Sequence, residues 1–252
     1  MLSESAYRVG AVMRHNTILL LREPGPLVSR LVLPLLFLTL LHPLYQAAQG
    51  PGSGISQSVI AALVTFSLLG LSVVGGSILV ERMWHTWDRV RATAVRPAEL
   101  LAGKAVPVMA AVILQQALII GFGAAVFGLS VTGLPLLGLA VLAWTLALLG
   151  MGAAIGVLAR SPGEMSVIYD LGGMILSSLG GALVPLSAMP GWVRHVAPAS
   201  PGYWAVSALK AALAGNAPGT LRDCAVLAAI AVSFGLLAAV RAGRGAVRST
   251  RM

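Results

Sequence analysis

Residues 134–159, LPLLGLAVLAWTLALLGMGAAIGVLA, contain no ionisable side chain. An α-helix rises 1.5 Å per residue, so this run is about 39 Å long and exceeds the ~30 Å of a bilayer's hydrocarbon layer. It is apolar on every face, which suits a helix surrounded by lipid or protein rather than one with a wetted side. Further runs of this kind lie at 27–45, 57–80, 105–127, 166–188 and 221–240, which makes 134–159 the fourth of six expected spans. The whole chain agrees: 58% of its 252 residues are hydrophobic and 10% are charged, where soluble domains carry roughly a quarter charged residues. Mean hydropathy is +0.90. Membrane barrels are built from short alternating strands, and the sequence has none. The fold class read here is an all-α polytopic membrane protein forming one domain, 1–252.

The net charge of +9 does not require a nucleic-acid partner, because Lys and Arg of membrane proteins gather in cytoplasmic loops. With the N-terminus inside, Arg8, Arg14, Arg22 and Arg30 are cytoplasmic. So are Arg82, Arg89, Arg91, Arg96 and Lys104 after the second span, Arg160 after the fourth, and Arg241, Arg244, Arg248 and Arg251 in a basic tail at 242–252 and its border. These are fourteen of the 17 basic residues; Arg194, Lys210 and Arg222 face outward. Both termini are therefore expected in the cytoplasm of a multi-pass cell-membrane protein. QAAQ at 46–49 invites a signal-peptide reading of the first span, but the polar region ahead of it is too long for one. Cys224 is the single cysteine, which excludes an internal disulfide and a Cys-based metal cluster.

Three segments are not plain spans. In 1–26, Glu4, Arg8, His15 and Arg22 recur on one helical stripe, with Ala6, Met13 and Leu20 opposite, and Pro24 and Pro26 close the pattern. This is expected to be an amphipathic helix along the membrane surface, with a simple basic flank as the alternative. In ERMWHTWDRVRATAVRP, 81–97, a helix puts Trp84, Trp87 and Arg91 on one side and His85, Asp88 and Ala92 on an adjacent stripe. Trp at a membrane boundary serves as an interfacial anchor; the density of aromatic and charged groups equally fits a protein interface. The segment 189–220 is too broken by Pro and Gly for a span and too apolar for an ordinary loop.

Enzyme signatures are missing. There is no H-E-x-x-H, no Cys pair and no G-x-S-x-G elbow; GPGSG at 50–54 is expected in an outer loop. Gly103-Lys104 lacks the Gly and the Ser or Thr of a phosphate-binding loop. Glu164 and Asp170 stand near the cytoplasmic start of the fifth span, and Gln115 and Gln116 in the third are polar but uncharged. Gly152 and Gly156 form a G-x-x-x-G pattern that permits close helix packing.

Two motifs resemble one family. Glu81-Arg82, Thr86, Asp88, Ala92-Thr93, Val95 and Glu99-Leu100-Leu101-Ala102-Gly103-Lys104 are similar to the cytoplasmic loop of ABC-2 type transporter permeases, E-R-x-x-G-T-x-E-x-L-x-A-T-P-V followed by a leucine-rich turn and Gly-Lys. His85 stands where the family usually has Gly, and Ala94 where it has Pro. Gly181, Pro185, Met189-Pro190, Trp192, Pro198, Pro201 and Tyr203 resemble its G-x-x-x-P…(L/M)-P-x-W…P-x-x-P-x-Y signature. Among its members the daunorubicin-resistance type of exporter permease is the nearest group.

The resemblance implies a six-span type V exporter fold. Glu81, Arg82, Trp84, His85, Thr86, Trp87, Asp88 and Arg91 would form a coupling helix docking on a separate nucleotide-binding ATPase subunit. Arg8, His15 and Arg22 would belong to a connecting helix at 1–26. Pro185, Pro190, Trp192, Pro198, Pro201 and Tyr203 would build an outer gate, with re-entrant helices between the five spans of 27–188 and the last at 221–241. The chain itself would be no enzyme and bind no cofactor or metal, ATP and Mg residing on the partner subunit. It would pair with a second permease copy, identical or a sister, and export a hydrophobic drug or antibiotic; a lipid or polysaccharide cargo, or a non-transporting scaffold, is the alternative.

Overall fold

The computed structural model describes residues 10, 12–14, 16–18, 22, 24–69, 71–83 and 97–249. The described residues form nine α-helices: α1 (Pro24–Gln49), α2 (Pro51–Leu69), α3 (Leu71–Met83), α4 (Pro97–Phe127), α5 (Leu134–Leu158), α6 (Pro162–Leu179), α7 (Gly191–Val196), α8 (Pro201–Leu213) and α9 (Ala217–Ser249). Short 3-10 turns, Leu186–Ala188 and Ala197–Ala199, frame α7. Among the described residues, five stretches are long and apolar enough to cross a membrane: Val28–Gln49, Pro51–Leu68, Ala105–Phe127, Leu134–Leu158 and Ala217–Arg241. The chain is thus a polytopic α-helical membrane protein.

α5 is the hub. It packs against α9, α3, α8 and α4, while α1 lies on α2 and α6 on α2, α3 and α8. Its central Trp144 is fully buried and donates its indole N–H to the Ser67 hydroxyl of α2 at 2.7 Å, since a buried Trp donor needs a partner. Lipid supplies no hydrophobic drive for helices to associate, so close backbone approach and hydrogen bonds must do so. The Gly152–Gly156 pattern serves this purpose: a Cβ on Gly156 would stand 2.7 Å from the Cα of Gly75 in α3. Only two glycines allow that crossing.

Helix ends depart from the expected spans in five places. The first span is longer than 27–45: prolines at its first turn lack an N–H that would be unpaired there anyway, so α1 starts at Pro24 and runs to Gln49. Pro51 begins α2 for the same reason, and 51–54 is its first turn rather than a loop; the second span accordingly starts well before 57. The fifth span does not continue to 188. Its helix starts at Pro162, where the Ser161 hydroxyl accepts from the Glu164 amide at 3.1 Å, and stops at Leu179. Gly181 has φ +78°, and its N–H reaches Ser178 O (3.0 Å) while the Ala182 N–H reaches Ser177 O (3.1 Å). This left-handed closure turns the chain out of the helix. With its acids, α6 is not among the five stretches apolar enough to cross on composition, so the count of six spans is not reached on that criterion. The last helix begins at Ala217 and remains helical to Ser249, through much of the expected tail.

The leucine-rich stretch 99–104 is also not a turn but part of α4. Of 1–26, the described residues 10, 12–14, 16–18 and 22 are helical, with Gly10, Arg14, Thr17, Ile18 and Arg22 exposed.

Candidate functional site

Chain direction brings the start of α2, α5 and α9 and the end of α1, α4, α6 and α8 to one end of the bundle, the Pro-rich end, where the Thr132 N–H donates to Leu213 O at 3.3 Å. There the backbone between α6 and α8 is not continuously helical, so its carbonyls need other donors. Side chains of the neighbouring helices provide them. The Tyr45 hydroxyl of α1 donates to Leu183 O at 2.7 Å. The Gln57 amide of α2, 1% exposed, donates to Gly181 O at 2.9 Å and to Ala182 O at 2.7 Å. Ser200 caps α8 by accepting from the Gly202 amide at 3.2 Å, and its hydroxyl donates to Leu176 O at 2.9 Å. Deeper in the bundle, Thr65 of α2 and Ser177 of α6 share a 2.7 Å hydrogen bond.

The expected gate residues gather at this end. Pro185 precedes the first 3-10 turn and Pro190 precedes α7. Pro198 lies in the second turn, and its carbonyl accepts the Trp204 indole N–H at 2.9 Å. Pro201 opens α8. Tyr203 packs edge-on against Trp204 with ring centroids 5.2 Å apart. Trp192 stands apart from these contacts, 66% exposed on α7. Arg194 folds α7 back on the first turn, its guanidinium donating to Leu186 O (3.0 Å) and Ser187 O (2.9 Å). Arg222 of α9 lies 5.9 Å from the Trp204 ring and pairs with Asp223 at 2.9 Å, tying the broken segment to the last helix.

Tyr45, Gln57, Thr65, Ser177, Ser200, Arg194 and Trp204 were not anticipated as part of this site. Their signal was a polar group inside or beside an apolar run. The sequence places Gln57 at the edge of the second span, yet it is one of the most buried residues of α2.

Of the residues expected to couple to an ATPase, the two that are described lie at the opposite end. Glu81 and Arg82 fall on the last turn of α3; Trp84, His85, Thr86, Trp87, Asp88 and Arg91 lie outside the described residues. So do Arg8 and His15 of the expected connecting helix, whereas Arg22 is helical and exposed. Glu164 at this end is a structural acid, its carboxylate accepting the Arg160 amide at 2.9 Å. No group of His, Cys, Asp or Glu among the described residues could hold a metal ion.

The family model described as ABC-2 type transporter matches residues 7–214. The chain belongs to the ABC-2 type transporter family. The match takes in every element from α1 to α8 and both motif regions, 81–104 and 181–203. Family membership makes it a multi-pass membrane permease component and implies an ATPase partner. No curated protein matches the chain at a significant level.

Proposed function

We propose that this ABC-2 chain is the permease subunit of an ATP-driven exporter of the daunorubicin-resistance type, moving a hydrophobic small molecule out of the cell. The observation that carries the reading is the family match over 7–214. ATP and Mg act on a separate nucleotide-binding subunit. Residues 81–97 dock on it as the coupling helix, the N-terminal helix touches both, and the Pro-rich end is the outer gate. Two permease copies enclose the route near α2 and α6.

Two observations support six passes. α6 returns from the end where α5 stops, and its 18 residues make about 27 Å of helix, close to the hydrocarbon thickness. An even number of passes also keeps the basic residues near both termini on one side of the membrane. Pro-broken backbone at membrane depth persists only when protein or a water-filled cavity covers it; the side-chain donors at Leu176, Gly181, Ala182 and Leu183 supply such cover. Alternating access then requires the ATPase to bind the two permease conformations with different free energy.

Tagged chain from native membranes is expected to co-purify with a nucleotide-binding subunit. Replacing Trp84, Asp88 and Arg91 together by Ala should cut ATPase capture or coupled hydrolysis at least tenfold while membrane insertion is normal. Full transport by that variant would make 81–97 an interfacial anchor only.

A further inference from the structure

α6 has a buried stripe and, adjoining it, an open one. Tyr169, Gly173 and Ser177 face inward: Tyr169 is 2% exposed and donates to Gly152 O at 3.4 Å, and Ser177 bonds Thr65. On the adjoining face, Val167, Asp170, Leu171 and Met174 recur at the i, i+3, i+4, i+7 spacing of one helical stripe. That face is open, with Val167 57%, Leu171 59% and Met174 63% exposed and Asp170 exposed among them. Asp170 lies about 12 Å along a helix of about 27 Å, near its middle. Its carboxylate makes no hydrogen bond or ion pair among the described residues. Glu164, the other acid of α6, is occupied at the helix start by the Arg160 amide.

An ionised carboxylate at membrane depth does not face lipid; such groups face a protein partner or a water-filled cavity. A second copy packed on this stripe by two-fold symmetry would bring like charges together across a low-dielectric contact, which is unfavourable without a cation between them. A carboxylate framed by Val167, Leu171 and Met174 offers one negative charge within an apolar surface, the complement of a hydrophobic cation. We propose that this stripe of α6 lines the transport route and that Asp170 selects a positively charged, largely apolar substrate. The inference rests on the exporter reading and narrows its substrate class.

Tetraphenylphosphonium and tetraphenylborate, alike in shape and opposite in charge, serve as probes. Cys224 is the only native thiol, so Val167→Cys or Met174→Cys in a Cys224→Ser background places one reporter on the stripe with Asp170 intact. In native membranes both reporters are expected to react with a water-soluble methanethiosulfonate and to be protected by tetraphenylphosphonium but not by tetraphenylborate. Adding Asp170→Asn should raise the protecting concentration at least tenfold, and Asp170→Glu should restore it. Reporters that never react place the stripe against lipid or a second copy and overturn the proposal. Protection that is indifferent to probe charge or to Asp170→Asn overturns it equally. These readouts need no pumping: charge-selective protection without ATP-driven uptake by the intact complex would sink the exporter reading and leave the cation site standing.

Discussion

Polar side chains in the middle of the bundle and at its Pro-rich end solve different problems. In the middle, Trp144 bonds Ser67, Gln116 bonds Thr145 at 2.9 Å, and Thr65 bonds Ser177: side chain meets side chain between continuous helices whose backbone is already satisfied. At the Pro-rich end, Tyr45, Gln57, Ser200, Arg194 and Trp204 all donate to backbone carbonyls. There Pro and Gly have interrupted the helix, and the freed acceptors would be costly without partners at membrane depth. The middle holds helices together; the Pro-rich end holds a non-helical path in shape.

The difference can be broken at either place. Trp144→Ala removes a fully buried indole from the hub helix and should cost about 3–5 kcal/mol, the usual range for a large aromatic in a core. The measurement is thermal stability of the purified chain in detergent, and much of the protein is expected to be lost on extraction. Gln57→Leu leaves Gly181 O and Ala182 O without their donor and should cost about 1–3 kcal/mol. Its particular mark should be local: protease cleavage or hydrogen exchange rising in 180–189 while the middle of the bundle keeps its protection. Trp192→Ala should stay within about 0.5 kcal/mol of the parent in stability, as for other exposed positions. If Gln57→Leu loosened the middle as much as Trp144→Ala, the two regions would be one cooperative unit.

Much of the bundle is legible from composition. The third, fourth and last spans are covered by helices where long apolar runs place them, although α4 and α9 extend beyond those runs. The errors fall where one residue's backbone geometry overrides composition. Ala182, Leu183 and Val184 extend the apolar run of α6, but the left-handed Gly181 has already ended the helix. Pro51 reads as loop punctuation, yet at a first helical turn it is favourable. Asp170 and Glu164 look equivalent as acids near a helix start, and both are exposed; only the Arg160 amide on Glu164 separates the structural one from the open one. The prolines of the broken segment are legible as a motif, whereas Tyr45 and Gln57 reach the Leu183 and Gly181 carbonyls beside them from 124 or more residues away in sequence, a pairing no local pattern carries.

ATP hydrolysis by the chain reconstituted with its co-purifying ATPase subunit tests the central claim most directly. A panel of hydrophobic compounds should contain at least one that stimulates hydrolysis severalfold and accumulates inside the vesicles, with both effects lost in the Trp84, Asp88 and Arg91 triple variant. Hydrolysis that is the same with and without the permease, and unmoved by every compound, would contradict it.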